Sequence, residues 1–234
     1  PFEGFSVATN PVAKPRMSAL VFSRLIQEIC GRKAICHLTV RDHNRIGIQS
    51  EIWGALASEI DTVIAVTGDP SAANREIPAT TVGDVTVYEL ISMADQAGMH
   101  TGAVLDFRPE VNGLKNEVHR LEKKVAAGCR FIVTQPVYDE TTALEIHSAT
   151  RNLGVPVILG ILPLISPRHA IFLHDKVAGI AVPENIRKEM AQSDDPVRTG
   201  VIQAGQMLEL ARTFFSGACV MPPFDRFEIL KHLL

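Results

Sequence analysis

The chain has 234 residues, of which 46% are hydrophobic and 21% are charged, and its formal net charge is −3. This composition is sufficient for a sizeable core and excludes the strongly basic surface of a general nucleic-acid-binding protein. No apolar run reaches the roughly 20 residues that span a bilayer, so we expect no membrane partner. Four cysteines without CxxC spacing indicate a reduced, cytoplasmic protein without a metal site, and Cys36 and Cys129 are expected to be small core residues.

Apolar runs of strand length alternate with helix-length segments along the whole chain. The predicted strands lie at 5–8, 35–40, 62–67, 101–107, 131–137, 157–164 and 219–221. The predicted helices lie at 18–30, 45–58, 85–97, 114–127, 140–152, 168–176, 183–192, 196–216 and 227–234. The run 178–182 could form a strand, but it lacks a following loop and is assigned to a connection. The first six strands recur at about 25–35 residues, which is the size of one βα unit.

Repetition of one βα unit without a linker predicts a single α/β domain over residues 1–234, a (β/α)8 TIM barrel. An open, doubly wound sheet is the alternative. The seven predicted strands are one fewer than a barrel needs. Because the chain begins almost directly in a strand, we expect the first βα unit to be missing upstream of Pro1.

Polar residues gather where the predicted strands end, which in a barrel is the edge that carries the active site. These stretches are 8–10, 39–44, 67–69, 106–112, 134–135 with Tyr138, 162–163 and 222–226. Strand ends are polar in many α/β proteins, so membership of this rim does not by itself assign a function.

Three rim residues are better candidates than the rest. Asp69 follows Gly68 directly after an apolar strand, where a carboxylate could bind a heterocycle or stabilise a developing cation; it could also only cap the next turn. His37 lies within an apolar strand, as either a ligand-contacting or a core histidine. Gln135 could read a ring edge as donor and acceptor, or simply bond the backbone.

The helix 114–127 carries four charged candidates beside its apolar face: Glu117, Arg120, Lys123 and Lys124. Such residues could hold a ribose or phosphate through charge-assisted hydrogen bonds. The alternative is a solvated helix face. Neither a GxGxxG nor a GxxxxGK[ST] motif is present, so neither a Rossmann nor a Walker phosphate loop is available.

With these rim residues the sequence resembles the methylenetetrahydrofolate reductase family over essentially its whole length. The resemblance rests on a set of motifs in one order: His37-Leu-Thr, Thr67-Gly-Asp-Pro, Pro109-Glu-Val, Leu121-Glu-Lys-Lys-Val-Ala-Ala-Gly-Cys, Thr134-Gln-Pro-Val-Tyr-Asp, Gly160-Ile-Leu-Pro and Met221-Pro-Pro-Phe. The stretches 10–18 and 39–49 look more like a branch in which the reductase is fused to a homocysteine methyltransferase module or works with other electron donors.

The resemblance implies a flavin, FAD or in some members FMN, at the strand ends. Its reduced N5 would give a hydride to the methylene carbon of methylenetetrahydrofolate. In this family pattern Asp69 matches a catalytic Asp near flavin N1, and Gln135, with Tyr138 beside it, matches the Gln that reads the pterin. The implied cofactor-binding residues are His37, Thr39, Gly68, Asp69, Asn112, Glu117, Arg120, Lys123 and Lys124.

The sequence departs from the family pattern at several positions. The family has Thr, His and Asn at the positions of Ala8, Asn112 and Arg120. These differences concern which flavin is bound and how its phosphates are held, more than the reaction itself. No residue matches the family's general-acid Glu, which lies on the first barrel strand, in agreement with the expected missing unit.

Several functional questions stay open at this point. A non-catalytic folate- or flavin-binding partner subunit and a pterin-dependent methyltransferase barrel are the alternatives to the reductase. The electron donor could be NADH, NADPH, ferredoxin or a partner subunit. We also expect a homo-oligomer, with or without a partner module.

Overall fold

The computed structural model describes residues 2–70, 77–106, 113–177 and 179–233. These ranges contain seven strands: β1 Gly4–Val7, β2 Lys33–Thr39, β3 Thr62–Val66, β4 His100–Leu105, β5 Phe131–Pro136, β6 Val157–Ile161 and β7 Gly217–Val220. The α-helices between them are α1 Ala19–Cys30, α2 Arg45–Ala57, α3 Val87–Gln96, α4 Leu114–Ala126, α5 Glu140–Thr150, α6 Pro167–Lys176, α7 Glu184–Gln192 and α8 Pro196–Phe214.

The chain forms two compact units. The first contains Pro1–Val104 and Lys123–Arg130, and its strands β1, β2, β3 and β4 are parallel neighbours in that order. The second contains Leu105–Glu122 and Phe131–Leu234, and β5, β6 and β7 are parallel neighbours there.

This strand order confirms the predicted fold class. A doubly wound sheet reverses its strand order at a switch point, whereas within each unit the spatial order of the strands follows the chain. Parallel strands in sequential order, joined through helices, form the repeat of a (β/α)8 TIM barrel with seven strands described. The extent of a single domain over 1–234 stays a prediction.

The strands β2 to β6 are largely apolar because most of their residues are buried. In β3 the consecutive residues Val63, Ile64 and Ala65 are all buried. Parallel strands covered on both faces have such continuous apolar runs rather than an alternating pattern. Their polar residues are therefore displaced to the strand ends.

Local capping chemistry sets several helix starts. The Asp139 side chain accepts the main-chain N–H of Thr142 at 2.9 Å and begins α5. Ser166 caps α6 in the same way, with Pro167 in the first turn. Past the end of α4, Gly128 has a φ of 110°, a conformation that favours glycine.

The C-terminal part of the chain contains a predicted connection at 178–182 and a predicted helix at 227–234. Residues 179–182, the described part of 178–182, form no strand. This agrees with the assignment of that run to a connection. The predicted helix 227–234 was wrong in type, since Phe227–His232 is a 3₁₀ helix without a side-chain cap; such short segments rarely sustain α-helical geometry alone. In the ranges described, no helix is both long and apolar enough to cross a bilayer.

Candidate functional site

A buried arginine ties together the loops that follow β1, β2 and β3. Arg41 is only 4% exposed. Its Nε and Nη2 donate to the two carboxylate oxygens of Asp42 at 2.6 and 2.8 Å. Its Nη1 donates to the main-chain oxygen of Asp69 at 3.0 Å, and Nη2 also donates to that of Asn10 at 3.2 Å. The guanidinium lowers the pKa of Asp42, so this pair stays ionised and fixes the three loops.

The turn after β3 requires a glycine. Gly68 has a φ of 86°, and a Cβ there would lie 2.3 Å from Oγ1 of Thr39. That hydroxyl donates to the main-chain oxygen of Thr67 at 3.0 Å and accepts the N–H of Arg41 at 3.2 Å. The Thr39 hydroxyl therefore joins the ends of β2 and β3. This structural role accounts for the side chain without a cofactor, and the predicted cofactor contact of Thr39 stays a prediction.

The side chain of Asp69 is half-buried and reaches the loop after β1. Its Oδ2 accepts the main-chain N–H of Val12 at 2.7 Å. Val12 has a φ of 51°, which is unusual for a β-branched residue, so this bond helps to hold a strained loop. Among described residues Oδ1 accepts no hydrogen bond. The alternative, that Asp69 caps the next turn, falls on 71–76, outside the described residues.

His37 and Thr39 line one cavity of about 270 Å³ in the first unit. Nε2 of His37 lies 2.8 Å from the hydroxyl of Ser6. Burial lowers the pKa of His37 to about 4, so the imidazole is neutral at physiological pH. The cavity also has polar lining residues that the sequence did not single out: Arg16, Ser18, His43 and Glu51.

In the second unit, Gln135 and Tyr138 line another cavity, of about 230 Å³. Gln135 is half-buried, and its amide makes no hydrogen bond to any residue in the described ranges, which argues against the backbone-bonding alternative. Tyr138 is 2% exposed, and its hydroxyl lacks a partner among the same residues. Burial raises the pKa of this phenol, so it is a neutral donor.

Sequence reasoning missed Asp106 and Arg41 as individual site residues. Oδ1 of Asp106, just after β4, is buried without a partner among described residues. A Cβ at Gly179 would lie 2.2 Å from that oxygen and 3.1 Å from Cγ of Gln135, and only glycine suits the φ of 82°. The sequence feature that could have identified Asp106 is its position at the start of the polar stretch 106–112.

The candidates on α4 have different surroundings. Glu117 is 2% exposed and accepts a hydrogen bond of 2.6 Å from Arg120, whose side chain is half-exposed. Lys123 is exposed, as the solvated-face alternative expects. Lys124 instead donates to the main-chain oxygen of Val104 at 2.7 Å. The last cofactor candidate, Asn112, lies outside the described residues.

Comparison with known proteins now defines the family. The sequence model of the methylenetetrahydrofolate reductase family matches residues 3–217. The chain belongs to the methylenetetrahydrofolate reductase family.

Curated members of the methylenetetrahydrofolate reductase family are distant relatives. Methylenetetrahydrofolate reductase 2 of Saccharomyces cerevisiae is 25% identical over 182 residues, which cover 74% of this chain and 29% of the yeast protein. The probable NADPH-dependent reductase of Caenorhabditis elegans is 21% identical, over 73% of this chain and 27% of its own length. Methylenetetrahydrofolate reductase (NADH) 1 of Arabidopsis thaliana is 26% identical, over 62% and 27%. The chain thus spans less than a third of these relatives.

Among solved structures, the crystal structure of 2,3-dimethylmalate lyase, a PEP mutase/isocitrate lyase superfamily member, superposes with a TM-score of 0.50. The two chains are 13% identical over 91% of this chain and 61% of the lyase chain. At this identity the likeness concerns the fold alone, and assignment to the methylenetetrahydrofolate reductase family rests on the sequence.

Proposed function

We propose that this chain reduces 5,10-methylenetetrahydrofolate to 5-methyltetrahydrofolate with a bound flavin. The family match over residues 3–217 carries the proposal. FAD is the expected cofactor, with FMN as the alternative. When bound, the flavin supplies the hydride that the methylene carbon receives.

The first-unit cavity has the donors and acceptors that a flavin ring needs. A neutral His37 and Thr9 lie on its wall and can exchange hydrogen bonds with ring nitrogens and oxygens. Asn10 and Thr39 line it too, but their side chains already bond Asp42 and the main chain of Thr67. Gly68 lets the main chain turn so that Asp69 follows immediately after β3. These neutral groups support flavin binding, and Arg16 on the same lining adds a positive charge.

Asp69 is the proposed electrostatic residue of the reaction. Ring opening of the substrate breaks the bond between the methylene carbon and N10. N10 keeps the electron pair and takes up a proton from solvent, which leaves a cationic iminium ion at N5, and the hydride then neutralises this cation. A carboxylate held by Val12 through one oxygen keeps its charge fixed in place. A prearranged negative charge stabilises a developing cation without further reorganisation.

Gln135 is the proposed residue for reading the pterin. Its side-chain amide is half-buried and free of described partners, so both its donor and its acceptor are available. Tyr138 lines the same cavity and supplies a second, neutral hydrogen-bonding group. For the flavin's ribose and phosphates we propose Glu117, Arg120, Lys123, Lys124 and Asn112.

The electron donor is proposed to be a nicotinamide dinucleotide. The worm relative is named for NADPH and the plant relative for NADH, so both are candidates here. Four free cysteines support a cytoplasmic location, because thiols stay reduced in that compartment. The homo-oligomer and the partner module stay predictions.

The test separates the two half-reactions under anaerobic conditions. Purified protein should carry FAD or FMN, or gain it on reconstitution; NADH or NADPH should bleach the flavin absorbance, and methylenetetrahydrofolate should restore it. Protein that gains no flavin would overturn the proposal. Flavin binding without reoxidation by the folate would favour a non-catalytic subunit, and methyl transfer without flavin would favour a methyltransferase.

A further inference from the structure

The hydrogen bonds of Arg41 close a ring that contains both partners of the bond between Val12 and Asp69. One terminal nitrogen of the guanidinium, Nη1, donates to the main-chain oxygen of Asp69 at 3.0 Å. The other, Nη2, donates at 3.2 Å to the main-chain oxygen of Asn10, which lies in the same loop as Val12. The Asp69 carboxylate in turn accepts the N–H of Val12 at 2.7 Å. One buried side chain therefore holds both ends of the bond that orients this carboxylate.

The loop that carries Val12 needs support from outside. Asn10, Val12 and Ala13 have φ values of 41°, 51° and 56°, in the left-handed region that residues other than glycine rarely adopt. Strained backbone of this kind persists only where the surrounding contacts hold it. Besides the bond from Arg41 to its main chain, Asn10 donates from Nδ2 to Oδ2 of Asp42 at 3.1 Å. Arg41 and Asp42 thus hold the loop in the conformation that presents the N–H of Val12.

The positive charge of Arg41 is cancelled by its sequence neighbour. Nε and Nη2 of Arg41 donate to the two carboxylate oxygens of Asp42 at 2.6 and 2.8 Å, and both side chains are mostly buried. Charges in such surroundings are weakly screened by solvent and salt. A guanidinium without its counter-ion would therefore oppose the negative charge of Asp69. The pair instead holds Asp69 without adding net charge.

We propose that Arg41 is a positioning residue for the folate half-reaction, acting through Asp69, and that Asp42 cancels its charge. The proposal rests on the proposed reductase function, in which the Asp69 carboxylate stabilises the cationic iminium ion. Arg41 fixes the main chain of Asp69 and the loop of Val12 relative to each other. The carboxylate is therefore oriented before the substrate arrives, and prearranged charge needs no reorganisation during the reaction.

A double-mutant cycle between positions 41 and 69 tests the proposal on the flavin-reconstituted protein. Arg41→Met should slow reoxidation of the reduced flavin by methylenetetrahydrofolate by at least about tenfold, and flavin reduction by the nicotinamide by less than about threefold. In the Asp69→Asn background the same substitution should slow reoxidation by less than about threefold further, because the charge that Arg41 positions is already absent. Arg41→Lys keeps a cation with fewer donors, so it should retain more of the wild-type rate than Arg41→Met.

Asp42→Asn tests the cancellation of charge. Reoxidation by the folate should slow by about tenfold, because the uncompensated guanidinium opposes the cation. Asp61→Asn is the matched control, since Asp61 pairs with Lys33 at the other end of strands β2 and β3 and the same charge is removed there. It should leave both half-reactions unchanged. Equal rates in Asp42→Asn and Asp61→Asn would overturn the role of Asp42.

Exchange of the Val12 amide proton, followed by NMR in flavin-free protein, measures the positioning without any turnover. It should be several-fold faster in Arg41→Met than in the wild type and should approach the rate in Asp69→Ala, which lacks the bond to Val12. Circular dichroism shows whether each variant is folded, and Arg41→Lys takes the place of Arg41→Met if the latter is not; it should show a smaller increase.

The outcomes separate this proposal from the proposed function. Unchanged exchange of the Val12 amide in the folded Arg41 variants, or full additivity of the substitutions at positions 41 and 69 in an active enzyme, would overturn the role of Arg41 alone. Equal slowing of both half-reactions by Arg41→Met would do the same. Wild-type protein whose flavin is not reoxidised by the folate would instead overturn the proposed function, and with it the contribution of Arg41 to the reaction.

Discussion

The main-chain N–H of Val12 donates a hydrogen bond of 2.7 Å to Oδ2 of Asp69, which joins the loop after β1 to the turn after β3. One carboxylate oxygen thus has a structural task, while the other bonds no described residue. Structural and catalytic contributions of Asp69 can therefore be separated by substitutions that remove the charge, the hydrogen bond or both.

Asp69→Asn removes the charge but keeps an oxygen that can accept the N–H of Val12. We expect the free energy of unfolding to change by less than about 1 kcal/mol. Reoxidation of the reduced flavin by methylenetetrahydrofolate should slow by at least about tenfold, because the cation loses its stabilising charge. Flavin reduction by the nicotinamide should slow less, and stopped-flow measurement of both half-reactions compares them.

Asp69→Ala is the companion variant, since it also removes the hydrogen bond to Val12. It should add a loss of stability of about 1 kcal/mol to the kinetic defect. Equal slowing of both half-reactions by Asp69→Asn would contradict a specific role of the charge in the folate step.

Arg41→Met leaves the partly buried carboxylate of Asp42 without its partner. Breaking a buried pair costs about 3–5 kcal/mol, and since the Asp42 side chain is 25% exposed we expect about 3 kcal/mol. Urea unfolding measures the change. Arg24→Met, which breaks exposed ion pairs with Glu28 and Glu59, is the control and should cost less than about 1 kcal/mol.

The double variant Arg41→Met with Asp42→Asn should recover part of the lost stability, because the unpaired charge is then absent. If Arg41→Met costs no more than Arg24→Met, the guanidinium does not hold the three loops together.

Gly68→Ala should destabilise the protein by at least about 2 kcal/mol, because alanine is strained at a positive φ and its Cβ would meet the hydroxyl of Thr39 at 2.3 Å. Gly205→Ala, in the helix α8 with no atom near the added Cβ, should instead stabilise by about 0.5–1 kcal/mol. Thermal unfolding compares the two variants. A similar effect of both substitutions would show that the turn after β3 tolerates a side chain.

Features governed by neighbouring residues were accessible from the sequence. The cap of α5 by Asp139 depends on a side chain and an N–H three residues apart, and the turn at Gly68 follows directly from a buried strand. The strand positions followed from apolar runs, because parallel strands covered on both faces need them.

Features that depend on contacts distant in the chain could not be predicted. Arg41 acts through main-chain oxygens of Asn10 and Asp69, and the sequence gives no register between those loops. The burial of the Asp106 carboxylate beside Gly179 likewise depends on two segments that are distant in the chain. Such contacts depend on the three-dimensional course of loops, which local sequence patterns do not encode.

His37 should make stability depend on pH. Its pKa is about 4 in the folded chain and about 6.5 in the unfolded chain, so between these values the unfolded state binds more protons. The protein should therefore lose stability as the pH falls from 6.5 towards 4, by at most about 3 kcal/mol from this residue. His37→Gln should reduce that loss in urea unfolding at several pH values, whereas His119→Gln, at an exposed histidine, should not reduce it comparably. Equal pH dependence of the wild type and His37→Gln would contradict a lowered pKa of this imidazole in the folded protein.

Gln135→Glu tests the proposed reading of the pterin. The substitution keeps the size and one acceptor but removes the amide donor and adds a negative charge, so the match to a ring edge with both donors and acceptors is lost. We expect the dissociation constant of 5-methyltetrahydrofolate to rise by at least about tenfold, with flavin binding unchanged. Fluorescence titration measures both, and Gln96→Glu, at an exposed position of the helix α3, is the control. Unchanged folate affinity in Gln135→Glu would remove Gln135 from the folate site.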